Sequence, residues 1–356
     1  LEKLNKNINK REIKMAKIII SDPAKRIVIE DVNIGEPAAN YVKVKPVRSY
    51  LSAGTELTQL QMGKVNKTAD ITKGRLGYSL SGIVTAIGDA VNNLKIGERV
   101  VCIGQGAFHS TEVLMAKNLV TKLPDEVSFE EAAPTAMMCF ALESIRKAKL
   151  EFGENVLIVG AGLMGQVVAQ LAVTCGCGKV FLLDINNYRL KKAAEGIIPV
   201  FGDDKGWKFI KKETEPFGIE AAFMCNGGEA TDIFNNIKQV MCKSPDGITH
   251  GRVVAPGGVR ITLELASASG NIQILSSAKA GPGYRDSAFE QGMDYPNYYV
   301  KWTVKRNVET ILHAIVKKKL TIKPLITHEY LFEDALQAYQ KLAEPDTDAL
   351  AVLLKY

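Results

Sequence analysis

The chain has 356 residues, of which 46% are hydrophobic and 24% charged, with 45 Lys and Arg against 39 Asp and Glu. That length favours two domains over one, and that composition excludes a disordered chain. The basic excess of +6 includes Lys3, Lys6, Lys10, Arg11 and Lys14 and the run Lys317–Lys319; no aromatic residues interleave with them, so they read as solvated faces and not as a nucleic-acid surface.

No apolar run is long enough to span a bilayer, and the N-terminus has no apolar core of the kind a secretory leader needs. Six cysteines, at 102, 139, 175, 177, 225 and 242, lie mostly inside apolar runs and form no CxxC pair. They read as buried thiols in a reducing setting, which makes the cytoplasm the expected location.

Residues 1–14 read as an extension, because an apolar strand pattern begins only at Ile18-Ile19-Ile20. From there to about Val120 the chain shows short apolar runs broken by Gly, Pro and Asn: Ile27–Ile29, Tyr41–Val47, Gly82–Ile87, Arg99–Ile103 and Glu112–Met115. That texture predicts a β-rich, barrel-like domain. Ser128 with Glu130-Glu131 is a capping arrangement that opens one long helix over Phe129–Lys149. Strand-like runs (Asn155–Val159, Lys179–Leu183, Pro199–Phe201, Ile219–Cys225, Gly251–Ala255, Asn271–Ser276) then alternate with helical ones (Gln166–Cys175, Asn187–Glu195, Ala230–Cys242), which predicts a doubly wound parallel sheet. After Gly281-Pro282-Gly283 come a polar, aromatic segment to Trp302, an amphipathic helix from Val304 to about Lys318, and a final helix and strand within Leu331–Tyr356.

Gly160-Ala161-Gly162-Leu163-Met164-Gly165 follows an apolar strand and opens a helix. In that setting Gly160 permits the tight turn, Gly162 lets a pyrophosphate approach the backbone, and Gly165 lets helix and sheet pack closely, while the N–H groups around Leu163 and Met164 face an anion. Nineteen residues past Gly165, Asp184 ends the next strand, where a carboxylate accepts from the adenine ribose and repels a 2′-phosphate. NAD is therefore the expected cofactor. Arg189 either lies over the adenine or meets a 2′-phosphate.

The order of these parts resembles the medium-chain dehydrogenase/reductase superfamily, the relatives of zinc alcohol dehydrogenase, from about Met15 onward. Leu94–Val100 looks like that family's strand entry, and Pro324–His328 with Ala335–Tyr339 looks like its C-terminal return. Ser52-Ala53-Gly54-Thr55-Glu56, Asp294-Tyr295-Pro296 and Tyr299–Thr303 are similar to the dehydrogenase half of bi-domain oxidoreductases. The resemblance implies a GroES-like catalytic domain (15–127 and 290–356) and a Rossmann domain (128–289). It also implies that the family's zinc ligands are replaced by Ala53, Tyr78 and either Ala136 or Met137, so no metal is expected.

Hydride transfer at a carbinol carbon then needs a side chain to move the hydroxyl proton. On positions the resemblance puts around the pocket, the candidates are Tyr78, His109 and Thr55, with Glu56 tuning or orienting one of them. Tyr295, Tyr299 and Trp302 are candidates to cover a polar substrate, or else belong to a contact between copies in a homodimer or homotetramer. The leading function is a zinc-independent, NAD-dependent oxidoreductase acting on a secondary alcohol or ketone such as a polyol, sugar or amino sugar. An NADPH-dependent enone or quinone reductase and a non-catalytic nucleotide sensor are the alternatives.

Overall fold

In a computed structural model the described residues are 15–60 (without 23 and 25), 74–296, 298–345 and 347–356. The expected extension, 1–14, lies outside them. Six parallel strands form one sheet in the spatial order Ile197–Phe201, Val180–Asp184, Val156–Val159, Ala221–Met224, His250–Ala255, Asn271–Ser276. The order reverses beside Val156–Val159, the strand that feeds the Gly160–Gly165 loop, and ligands of such sheets bind at that switch point. Val156–Val159 and Val180–Asp184 are buried throughout, as strands covered by helices on both faces must be.

The first domain is built on a sheet with the order Ile326–Leu331, Ala351–Lys355, Tyr41–Leu51, Ser79–Ile87, Arg99–Ile103, Val120–Lys122; Val113–Ala116 also pairs with Tyr41–Leu51. A smaller sheet joins Ala16–Ser21 to Ile27–Val32 and Gly74–Arg75. The C-terminal strands therefore complete the sheet begun near the N-terminus. Arg48 fastens this return: it pairs with Glu329 at 3.0 Å and with Glu130 at 2.8 Å.

Several elements depart from the sequence reading. The single long helix is two, Phe129–Ala132 and Thr135–Ala148, broken at Pro134, which has no N–H to continue the ladder. Ser79 fills the break, donating from Oγ to the Ala133 carbonyl at 2.5 Å and accepting from the Ala136 N–H at 3.1 Å. The Ser128–Glu131 capping box forms as read. The helix at Asn187 ends after one turn, at Leu190. A helix not foreseen covers Asp204–Thr214, capped by Asp203, whose side chain accepts from the Gly206 N–H at 2.8 Å. The helix Val304–Val316 packs on Thr135–Ala148 and also meets Val120–Lys122 of the first sheet, and the chain rejoins that sheet as a strand at Ile326.

Candidate active site

Gly160 has φ +101°, and its N–H donates to the Leu183 carbonyl at 2.8 Å. A side chain at Gly160 would press on the Cys225–Asn226 peptide, and one at Gly165 would overlap the Gly160 carbonyl oxygen. Gly162 differs: nothing lies within 4 Å of where its Cβ would be, and it caps the helix Leu163–Thr174 without any side chain closing the first turn. The N–H groups of Leu163, Met164 and Gly165 are thus turned toward open space, as a pyrophosphate requires.

Asp184 is buried and already holds the loop, accepting from the Ala161 N–H at 2.6 Å through Oδ2 and from the Asn186 N–H at 2.8 Å through Oδ1. Each oxygen keeps a further acceptor site for a ribose hydroxyl. Beside it, Gln166 Oε1, Arg189 Nε and Asn226 Oδ1 are buried without partners. A pocket of about 230 Å³ opens there, lined by Asp184, Asn186 and Arg189 from one domain and by Leu57, Glu344 and Thr347 from the other. Arg189 crosses this seam to donate to the Thr347 carbonyl at 3.4 Å. Open glycine, orphaned polar atoms and a pocket spanning two domains fit a dinucleotide.

Tyr78 is half-buried, its ring 6.0 Å from that of Phe140, which in turn lies 5.7 Å from Tyr284. Burial holds its phenol far above the ordinary tyrosine range, Tyr50 adds to this, and a hydrogen bond from the Ser52 hydroxyl offsets part of it. Thr55 is exposed at the first position of the helix Thr55–Leu60, its N–H donating to Ser52 Oγ at 3.3 Å. Ser52, Phe140 and Tyr284 were not among the sequence candidates, although Ser52 opens the motif Ser52–Glu56 and Tyr284 opens the aromatic segment that runs to Trp302.

His109 is not placed to be the proton donor that its sequence position suggests. It is 0% exposed, with Nδ1 2.7 Å from Ser49 Oγ and Nε2 3.1 Å from Glu56 Oε2, so neither nitrogen can meet a ligand. Gly77 has φ +98°, and a side chain there would strike the His109 backbone. Glu56, 1% exposed, also accepts from the Tyr339 hydroxyl and from the Ser52 N–H at 3.3 Å, and Ser49 continues to the Tyr356 hydroxyl at 2.8 Å. Glu56 does pair with His109, but as part of a buried network that locks the Ser52–Glu56 turn to the C-terminal helix and strand.

Of the three expected cover residues, Tyr295 stacks on Phe289 at 5.1 Å and donates its hydroxyl to Asp286. Tyr299 is 88% exposed. Trp302 is held by Arg146 and Arg306 at 3.5 and 4.0 Å, about two turns along the helix from Phe140. It is Tyr284, not Trp302, that reaches the Tyr78 pocket.

The residues that the sequence resemblance places at zinc positions offer no metal-ligand set. Ala53 offers a methyl group, Tyr78 a protonated phenol, and Ala136 and Met137 no hard or thiolate donor; the thiol of Cys139, farther along that helix, is fully buried and pushed up by burial. Among the described residues no three His, Cys, Asp or Glu side chains gather as a ligand set, and no helix is long and apolar enough to cross a membrane.

No protein-family model matches the chain. It is 24% identical over 363 residues to a D-xylulose reductase of Morganella morganii, covering 92% of this chain and 98% of that protein. To the sorbitol dehydrogenase of Bos taurus it is 25% identical over 346 residues, 88% of each chain. Its structure superimposes on the 2R,3R-butanediol dehydrogenase of Bacillus subtilis with a TM-score of 0.75, at 20% identity and over 96% of this chain and 99% of that one. The chain therefore has the medium-chain dehydrogenase fold, a GroES-like domain joined to a Rossmann domain, and over nearly its whole length it is similar in sequence to polyol dehydrogenases.

Proposed function

We propose that the chain is a zinc-independent, NAD(H)-dependent oxidoreductase that interconverts a secondary alcohol of a polyol or sugar with the corresponding ketone, working as a homodimer or homotetramer. The observation that carries this reading is Tyr78: a phenol stands at the position that the resemblance gives to a metal ligand, and burial beside Phe140, itself packed on Tyr284, keeps it protonated. When bound, the nicotinamide supplies or accepts the hydride. Tyr78 gives its hydroxyl proton to the substrate oxygen as charge develops there, Ser52 holds the phenol oxygen in place, and the aromatic walls exclude water. In the oxidation direction the phenolate left by loss of that proton accepts the substrate's hydroxyl proton; burial, which raises the phenol's pKa, keeps this form scarce and so favours the reduction direction.

Asp184 supports NAD over NADP, because a 2′-phosphate would meet a buried carboxylate. Asp184→Ser removes the repulsion and the ribose acceptor together, so the preference for NADH over NADPH should narrow about tenfold or more. Calorimetric titration with both cofactors reads this; tighter NADPH binding by the parent protein would assign the ribose end to Arg189 and favour the enone or quinone reductase reading.

A further inference from the structure

The last strand of the Rossmann sheet, Asn271–Ser276, runs into a loop whose shape is fixed at every step. Gly281 and Gly283 have φ +123° and +90°, and side chains at them would overlap Asn307 and the Phe289 ring. Asn307 ties the loop down by donating to the Ala280 carbonyl at 2.7 Å. Two residues past Gly283 comes Arg285, with φ +63°, a left-handed conformation that a long side chain adopts only when its surroundings impose it. The imposing contact is the buried Glu290, whose Oε1 accepts the Arg285 N–H at 2.8 Å. Asp286 is occupied as well: it caps the helix Ser287–Glu290 and accepts the Tyr295 hydroxyl.

The hydrogen bonds of both neighbouring acids thus go to the backbone and to Tyr295, and neither forms an ion pair with the guanidinium. Arg285 is exposed, and among the described residues it makes no ion pair; its Cζ lies 5.8 Å from the centre of the Tyr284 ring. Tyr284 lies toward the reacting group: its ring is 5.7 Å from that of Phe140, which is 6.0 Å from the Tyr78 ring, and its edge rests on Gly104, whose N–H donates to the Tyr78 carbonyl at 2.8 Å. Lys279, exposed on the same loop, adds a second positive charge near Asp286.

We propose that Arg285 binds an anionic group, a phosphate or a carboxylate, carried by the polyol or sugar whose hydroxyl meets Tyr78. This rests on the reading of the site as a polyol dehydrogenase and names its substrate class. A guanidinium fork matches two oxygens of either anion.

The test compares kcat/KM for a hexitol, a hexitol phosphate and an aldonate in the parent, in Arg285→Gly and in Arg285→Lys. Glycine suits φ +63° better than arginine, so Arg285→Gly should melt no lower than the parent. The ratio of anionic to neutral kcat/KM should fall about tenfold to hundredfold in Arg285→Gly and less in Arg285→Lys, and the favoured anion in the parent separates phosphate from carboxylate. An unchanged ratio in both variants overturns the proposal while leaving the polyol reading intact. If the parent turns over none of these compounds, the polyol reading fails; titration with the hexitol phosphate then decides Arg285 alone, supported by binding that weakens in Arg285→Gly and overturned by its absence.

Discussion

Tyr78→Phe should bind NADH as the parent does and lose about a hundredfold or more in kcat, because the ring that packs on Phe140 is kept and only the hydroxyl is lost. The distinction matters because a tyrosine that merely fills the volume of a missing metal site would behave in the opposite way. Its replacement by Phe would leave turnover near the parent value, and only a smaller side chain would cost stability. Steady-state rates in both directions, with NADH affinity measured separately, divide these cases. If turnover survives in Tyr78→Phe, the exposed Thr55 becomes the proton donor to test next.

Glu56→Ala should be the most destabilising single change in the first domain. Its carboxyl group meets His109 Nε2, the Tyr339 hydroxyl and the Ser52 N–H with 1% of its surface exposed. Removing it leaves those groups buried and unpaired, a loss of about 3–5 kcal/mol. Glu56→Gln keeps the volume and one acceptor oxygen but sets an NH₂ against a donor, so a smaller loss is expected. Urea unfolding monitors both, read as a lower midpoint at an unchanged slope. A Glu56→Ala protein within about 1 kcal/mol of the parent would mean that water enters and satisfies the network.

The dinucleotide loop was legible because everything that defines it is local: an apolar strand, three glycines at fixed spacing, a helix, and an acid at the end of the following strand. The parallel sheet was legible for the same reason, since each strand announces itself as a short apolar run. The break at Pro134 shows where local signals mislead. A capping box at Ser128 and an apolar stretch to Lys149 read as one helix, but Ser79, from a strand far back in the chain, takes over the bonds that the proline cannot make. The helix Asp204–Thr214 went unseen because its lysines mask the buried face of Gly206, Ile210 and Thr214.

His109 is the clearest case of what sequence order hides. Its partners Ser49 and Glu56 are 60 and 53 residues away, and the network closes only when the chain end brings Tyr339 and Tyr356 back. Without those contacts a lone histidine beside a glycine loop reads equally well as a proton donor. Trp302 misled similarly: an aromatic residue in a polar segment reads as a ligand cover, but two arginines, one of them on the long helix, have claimed it.

The central claim, hydride transfer between NAD(H) and a polyol with Tyr78 in place of a metal, is tested most directly by assaying exhaustively chelated protein, shown by elemental analysis to hold no zinc, with polyols and ketoses in the presence of NAD(H). The account predicts turnover at the rate of untreated protein and no gain on adding zinc. Activity abolished by chelation and restored by about one zinc per chain would contradict it.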